Sequence, residues 1–366
     1  MGNKKLIKGI ILSTAGIFFI LGAVSSVYYL SSYGLVENEY SFISPNVASK
    51  DQFMRLAFSE GLPQDLHLLN PPVKEIKDLQ EYIDEIKNVK VSEFFNIYDR
   101  LTIEEISPSS DEIVKLSYKI NQENFNTYAY YLKTEEQINN CSILLIPGSG
   151  DHQSLSIYNE DGYHGTIRTT LLKHCDIFIL IKPNNGYRSI HNEKNRLDAD
   201  SFLYANLLNE GYSYSATYIT EALAWVKYMQ KYYNKEGIIG LSQGGFAAFL
   251  TSLQSSPDFT IVSSGFSLYQ RELISLGFNQ IIIPGLYEYY KENIIQEIIS
   301  KQNTKYLFTY GGNSDSIIYS LESEKKKSCL FLKEIDPFNV FCFYHQGGHF
   351  FPEEDILAWI EKEILN

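Results

Sequence analysis

An apolar run that ends in a serine between two glycines is the feature that most constrains how this chain folds. The chain reads Ile238-Ile239-Gly240-Leu241-Ser242-Gln243-Gly244 and then enters a helix-forming segment. A strand-to-helix turn sharp enough to project a hydroxyl above a sheet edge needs almost no side chain two residues before and two after the serine. Gly240 and Gly244 meet that requirement, so the pattern predicts such a turn. A glycine-rich helix start that cradles a phosphate is the alternative interpretation.

The segments around this turn alternate between strand-like and helical patterns, which predicts a doubly wound, mostly parallel α/β sheet with helices on both faces. Strands are expected at 142–146, 176–181, 237–240, 260–264, 305–310 and 339–344, and helices at 166–174, 216–233, 244–253 and 356–365. Two paired strands, 113–120 and 125–132, precede this series and are joined by a turn at 121–124.

Composition excludes two classes of function. The chain has 366 residues, 44% of them hydrophobic, which suits a folded domain of ordinary size with some sequence to spare. Its formal net charge is -13. Because phosphate contacts need clustered lysine and arginine, nucleic acid and anionic lipid are not expected as main partners.

The amino-terminal segment has the pattern of a membrane anchor. Residues 9–36 carry no charge, three lysines precede them, and acidic residues follow. The run is long enough to cross a bilayer, so we expect a transmembrane helix within residues 1–36, with the lysines on the cytoplasmic side and the remainder exported. A cleavable signal peptide with a small-residue site at Ala23-Val24-Ser25 is the alternative.

Export makes the four cysteines relevant, because an oxidising compartment permits disulfides. Cys141 and Cys175 each stand directly before a strand-like run, so neighbouring parallel strands would bring them together. A Cys141–Cys175 bridge is one hypothesis, and two buried free thiols are the other. The spacing of the four cysteines does not indicate zinc.

Two segments are expected after the anchor, and the second contains an insertion. Residues 37–109 contain no catalytic constellation and are interpreted as a stalk and packing arm. Residues 110–366 form the main domain. Residues 267–304 are an apolar, tyrosine-rich insertion too long for a plain connection, and they predict a small helical cap. Two helices packed on the edge of the domain are the alternative.

The order of elements and the turn at Gly240–Gly244 resemble the α/β-hydrolase superfamily over about residues 110–366, with dienelactone hydrolase-like and prolyl oligopeptidase-like domains the most similar branches. Pro147-Gly148-Ser149-Gly150 is similar to the His-Gly oxyanion loop of that superfamily, with Pro147 in place of histidine. The resemblance implies that the backbone N–H groups of Ser149 and Gln243 form the oxyanion hole. A plain tight turn is the alternative for the glycines of this loop.

The resemblance also implies an acid and a base in the chain order serine, acid, histidine. His349 follows the last predicted strand in a loop with two glycines and is the expected base, whereas His345 lies at the strand end and is expected to be a neighbour. Asp315 follows the preceding strand in a glycine-rich turn and is the expected acid, with helix capping as the alternative role. The segment Asn184–Ser189 resembles the Arg-Gly-x-Gly-x-Ser loop with two departures, Asn185 and Arg188.

The expected function is a serine hydrolase that cleaves a carboxylic ester through an acyl-enzyme, with Ser242 as the nucleophile. The triad would be Ser242, Asp315 and His349, and no metal or cofactor is expected. The expected partners are a small ester or acylated substrate and, through the amino-terminal helix, a membrane. A serine peptidase of prolyl oligopeptidase-like type, a membrane-associated acyltransferase and an inactive binding module stay open.

Overall fold

The computed structural model describes residues 79–110, 112–135, 140–150, 152–162, 164–185, 188, 196–265, 281–311 and 322–365. The expected anchor at 1–36, most of the arm at 37–109 and the candidate acid Asp315 lie outside the described residues. Within the described ranges, no helix is long and apolar enough to cross a bilayer.

Nine strands of the described residues form one sheet. In chain order they are β1 (Leu101–Pro108), β2 (Ile113–Ile120), β3 (Glu123–Leu132), β4 (Cys141–Ile146), β5 (Asp176–Ile181), β6 (Lys235–Leu241), β7 (Phe259–Ser263), β8 (Lys305–Tyr310) and β9 (Val340–Tyr344). Their order across the sheet is β1-β2-β3-β5-β4-β6-β7-β8-β9. Strands β1 to β3 pair antiparallel, and β3 pairs antiparallel with β5. All pairs from β5 to β9 are parallel, so the mostly parallel sheet is confirmed.

Helices connect and flank these strands. They are α1 (Leu79–Ile86), α2 (Val91–Phe94), α3 (Gln153–Asn159), α4 (Ile167–Leu172), α5 (Arg196–Asn209), α6 (Tyr214–Tyr232), α7 (Gln243–Ser255), α8 (Leu286–Tyr289), α9 (Glu292–Lys301), α10 (Glu322–Ile335) and α11 (Glu353–Ile360). A 3₁₀ turn occupies Tyr98–Arg100, and a π-helical turn at Glu361–Leu365 follows α11.

The alternation of side chains along the strands divides the core between the two faces of the sheet. In β4, Leu144 and Ile146 belong to one buried cluster, whereas Ile143 and Leu145 belong to the other. The first cluster includes α1, α5, α6, α7, α9 and α10, and the second includes α3, α4 and α11. Because strands buried on both faces need helices on both faces, this division explains their continuous apolar runs.

The sheet begins upstream of residue 110, the expected start of the main domain. Strand β1 was not expected from the sequence, and it pairs with β2 at the sheet edge. A register irregularity lies between Ile103 and Glu105. Predicted element ends elsewhere moved by a few residues, as is usual for helix and strand termini; β6, for example, starts at Lys235 and α6 at Tyr214.

The described part of the expected cap packs into the first core cluster. Ile283, Leu286 and Ile295 are buried there. The ring of Tyr289 stacks on Phe95 with centroids 4.2 Å apart, and its hydroxyl donates to the side chain of Asn96 at 2.9 Å. Residues 266–280 of the insertion lie outside the described residues.

Two disulfides connect the four cysteines. Cys141 and Cys175 are bridged, with Cα atoms 4.6 Å apart, as the parallel pairing of β4 and β5 predicts. Cys329 of α10 and Cys342 of β9 form a second bridge, with Cα atoms 6.1 Å apart. The second pairing was not expected from the sequence.

Candidate active site

The junction of β6 and α7 is a sharp turn at Ser242. This residue has φ 61° and ψ -121°, a conformation that costs energy for any residue other than glycine. Its N–H donates to the carbonyl of Ser263 on β7 at 2.8 Å, and its own carbonyl accepts the N–H of Phe246 at 3.0 Å. Backbone hydrogen bonds on both sides therefore hold the strained residue in place.

The two glycines around Ser242 sit where side chains do not fit. A Cβ added to Gly240 would overlap the carbonyl of Gly244, and a Cβ added to Gly244 would overlap the carbonyl of Ile146 at the end of β4. The turn therefore packs directly against the strand that leads into the Pro147–Gly150 loop. The geometry is the sharp strand-to-helix turn that the sequence pattern predicts.

The Ser242 hydroxyl is buried and, among the described residues, makes no hydrogen bond. Helix α7 begins at the next residue, Gln243, so the positive end of its dipole lies at the serine. A helix N-terminus favours negative charge, and a developing oxyanion is such a charge.

The loop after β4 is held from one side by a histidine. The N–H of Gly148 donates to Nε2 of His164 at 3.1 Å. Because Gly148 uses its N–H in this way, it does not serve as the oxyanion donor of the loop. Ser149, the expected donor, is the next residue and is fully buried.

His164 is a neutral acceptor. Burial, followed by the positive charge of Lys182 and the neighbouring His349, holds the pKa of His164 well below its ordinary value of 6.5. A neutral imidazole that accepts at Nε2 carries its proton at Nδ1. Because His349 contributes to this pKa shift, it lies within electrostatic range of His164. His349 is therefore near the loop of Gly148.

The same loop is held from the other side by a buried lysine. Lys182 follows β5 directly and is fully buried. Its Nζ donates to the carbonyl of Gly148 and to Oε1 of Gln243, both at 2.6 Å, and lies 5.4 Å from the ring centroid of Tyr218. One ammonium thus joins the loop after β4 to the first residue of α7.

His349 is mostly buried, with 9% of its surface exposed. Its loop approaches the end of β8 so closely that a Cβ on Gly311 would overlap the carbonyl of Gly348. His345 stabilises the bend of this loop, because its Nδ1 accepts the N–H of Gly347 at 3.2 Å. That contact agrees with the structural role expected for His345.

The structure brings most of the expected residues to the carboxyl ends of the parallel strands. Ser242 and Gln243 lie at the end of β6, Ser149 follows β4, and His349 follows β9. Asp315 is outside the described residues, so its role stays a prediction. Within the described part of the chain, no three His, Cys, Asp or Glu side chains are grouped to hold a metal ion.

The sequence did not indicate His164 or Lys182 as members of this site. Lys182 had one signal, a charged residue directly after a buried strand whose carboxyl end faces the site. His164 had none beyond being a histidine. Lys182 reaches the site because the sheet order places β5 and β6 on the two sides of β4. His164 lies in the connection between α3 and α4.

Arg188, the departure in the segment after β5, has a structural partner. Its guanidinium binds both carboxylate oxygens of Glu221 and the carbonyl of Ile181. Asn184, in the same segment, donates its N–H to the hydroxyl of Tyr82 on α1. These contacts anchor the segment to the core.

A family model matches part of the chain. Residues 179–357 match the family model described as serine hydrolase (FSH1). No curated protein matches the sequence. Over residues 179–357, just under half of the chain, the sequence is similar to serine hydrolases.

Several solved structures are similar at low identity. A glucuronoyl esterase from Caldicellulosiruptor kristjansonii has 10% identity and a TM-score of 0.46, over 83% of this chain and 88% of that one. An acylaminoacyl peptidase from Pyrococcus horikoshii has 13% identity and a TM-score of 0.40, over 68% and 46%. Acetyl xylan esterase 1 from Thermoanaerobacterium has 11% identity and a TM-score of 0.39, over 84% and 96%. The similarity to serine hydrolases rests on the family model, and the sheet topology and the turn at Ser242 agree with it.

Proposed function

We propose that this protein cleaves carboxylic esters through a covalent acyl-enzyme on Ser242, with His349 as the base and Asp315 as the acid of a catalytic triad. The observation that carries the proposal is the strained backbone of Ser242 between β6 and α7, packed against the loop that holds Ser149. Strain of this kind at a strand end is typical of a functional residue.

The chemistry follows from the positions of the groups. The Ser242 hydroxyl attacks the ester carbonyl, His349 takes the proton, and the N–H groups of Ser149 and Gln243 bind the oxyanion of the tetrahedral intermediate. The alcohol leaves with the proton from His349, and an activated water then releases the acid. Asp315 would hold the imidazole in the productive tautomer.

A hydrogen bond from Ser242 to His349 is required when substrate binds. Catalytic hydrogen bonds of this type are often longer without substrate and shorten in the complex. The contact of Gly311 with Gly348 holds the His349 loop against the end of β8.

An ester is favoured over a peptide by the composition of the insertion at 267–304. This segment has apolar and tyrosine side chains, such as Tyr269, Phe278 and Tyr287, which suit an amphipathic acyl group. We propose that it contributes a small cap over Ser242.

We also propose that the enzyme is exported and tethered to a membrane by residues 1–36. The uncharged run at 9–36 supports the tether. The two disulfides support export, because structural disulfides persist in oxidising compartments. Fractionation of cells that produce the full chain, with and without carbonate extraction, tests the tether; release into the soluble fraction would contradict it.

The test of the reaction is a substrate series with matched serine variants. p-Nitrophenyl esters of increasing acyl length are compared with a p-nitroanilide peptide. We expect hydrolysis of the esters with the higher kcat/KM, and loss of about 10³-fold or more in Ser242→Ala. Ser252→Ala is the control, because Ser252 is a buried serine of the same helix, α7, and its hydroxyl donates to the carbonyl of Phe249. Faster cleavage of the anilide would contradict the ester assignment.

A further inference from the structure

Lys182 is an unusual residue for the core of this sheet. It is fully buried, although moving an ammonium out of water costs several kcal/mol before its hydrogen bonds are counted. Its Nζ makes short hydrogen bonds, both at 2.6 Å, to Gly148 and Gln243. A methionine would fill a similar volume without the cost of a buried charge. The two partners suggest why a charge is kept here.

The first partner of Lys182, the carbonyl of Gly148, belongs to the peptide unit that carries a candidate oxyanion donor. The carbonyl of Gly148 and the N–H of Ser149 belong to the same planar peptide unit. A cation bound to the carbonyl withdraws electron density from that unit and makes its N–H a stronger donor, because hydrogen bonds in a chain polarise one another. Lys182 therefore acts on the Ser149 N–H from the far side of the peptide.

The second partner belongs to the other candidate donor. Lys182 binds the side chain of Gln243, whose backbone N–H is the second expected oxyanion donor. The N–H of Gly148 is bound to His164, which fixes the loop at its other side. The Lys182 ammonium thus connects the two residues next to or bearing the donors and fixes the distance between the N–H groups of Ser149 and Gln243.

We propose that Lys182 is a positioning residue of the oxyanion hole, which polarises the Gly148–Ser149 peptide and fixes the distance between the N–H groups of Ser149 and Gln243. Its positive charge stabilises the oxyanion of the tetrahedral intermediate and acts much less on the neutral ester. This inference rests on the proposed function.

The test uses the full-length enzyme, p-nitrophenyl esters and the variants Lys182→Met and Lys182→Gln. Both variants remove the charge, and Gln retains a donor. We expect kcat to fall about 10- to 100-fold in both, with KM changed by less than about threefold, because the lost interaction is made mainly in the transition state. A trifluoromethyl ketone, which forms an oxyanion on Ser242, should bind more weakly by a similar factor, and a purely structural role would not produce this parallel.

Lys227→Met is the matched control. Lys227 also donates to a backbone carbonyl, that of Tyr98 at 2.8 Å, and lies over a tyrosine ring, 4.8 Å from its centroid. Lys227 lies near the end of α6, which leads into the start of β6, whereas Ser242 follows the end of β6. We expect unchanged kcat and KM. Thermal unfolding of all three variants shows whether they are folded at the assay temperature, and Lys182→Gln decides the outcome if Lys182→Met does not fold.

The outcomes separate this inference from the proposed function. If wild type reacts with a fluorophosphonate and a folded Lys182 variant keeps its kcat within about threefold, the inference is wrong and the proposed function stands. A fall in kcat/KM that comes from KM alone also overturns it. If wild type does not react with the fluorophosphonate, both fail.

Discussion

Arg188 and Glu221 form a two-pronged ion pair that ties the segment after β5 to helix α6. The two N–O distances are 2.6 and 2.9 Å, and the Thr127 hydroxyl also donates to Glu221. Burial lowers the pKa of Arg188, but the Glu221 carboxylate more than offsets this and raises it. The pair therefore lies charged in the core, and Arg188 also donates to the carbonyl of Ile181, the residue before Lys182.

Breaking this pair should destabilise the protein strongly. We expect Arg188→Met or Glu221→Gln to lower the free energy of unfolding by about 3–5 kcal/mol, because each leaves a buried charged or polar partner uncompensated. The double variant Arg188→Met/Glu221→Leu should lose less than the sum of the two single changes. Urea unfolding measures all three, and additive losses would contradict the interpretation.

The turn at Ser242 should not tolerate a methyl group at Gly240. We expect Gly240→Ala to lose ester hydrolysis and at least about 3 kcal/mol of stability, because its Cβ overlaps the backbone of Gly244. Gly211→Ala is the control: Gly211 has φ 84° and no atom within 4 Å of an added Cβ. It should cost about 1 kcal/mol from backbone strain alone and leave kcat unchanged. Equal activity in the two variants would argue against a required elbow.

Both disulfides should be present in the exported protein. Alkylation under denaturing, non-reducing conditions should modify none of the four cysteines, and alkylation after reduction should modify all four, as counted by mass spectrometry. Four modified cysteines before reduction would contradict the bridges.

The longer disulfide loop should contribute more stability. Cys141 and Cys175 are 34 residues apart and Cys329 and Cys342 are 13 apart. From loop entropy we expect Cys141→Ser/Cys175→Ser to lose about 0.8 kcal/mol more than Cys329→Ser/Cys342→Ser. Thermal and urea unfolding of the two double variants compare them, and the reverse order would count against the entropic account.

Glu236 should make the stability fall as pH rises. Burial, then the hydrogen bond to and the negative charge of Asp258, raise the pKa of Glu236 from 4.5 to about 8. The folded state therefore binds a proton that the unfolded state has lost between these values. The stabilisation is complete below pH 4.5 and is lost as pH rises through 8.

Glu236→Gln isolates this effect. The difference in unfolding free energy between wild type and the variant should decrease steadily from about pH 4.5 to about pH 8. Taking the difference removes the contribution of other groups that titrate in this range, such as His164. A difference that does not vary with pH would show that Glu236 titrates normally.

Much of the fold follows from the sequence because its strands are buried on both faces. The continuous apolar runs of β4 and β5 need no tertiary information to be recognised. Strand β1 is different. Leu101, Ile103 and Ile106 pair with Ile120, Tyr118 and Leu116, which share one face, but their own spacing fits neither a strand nor a helix. The irregularity between Ile103 and Glu105 adds the extra residue, and only the pairing reveals it.

The site was predictable where its chemistry needs a local pattern. The serine between Gly240 and Gly244 is such a pattern, since steric requirements two residues away fix the spacing. Lys182 acts on Gly148 and Gln243, which are distant in sequence and meet only through the order of β5, β4 and β6. No spacing in the sequence indicates contacts of that kind.

The most direct test of the account is covalent labelling of Ser242. The full-length protein is treated with a fluorophosphonate, digested and examined by mass spectrometry. We expect one adduct per chain, on the peptide that contains Ser242, and none in Ser242→Ala, whereas Ser252→Ala should react like wild type. His349→Ala should react far more slowly, because the hydroxyl is then without its base. An unlabelled wild type, or an adduct that persists in Ser242→Ala, would contradict the assignment of Ser242 as the nucleophile.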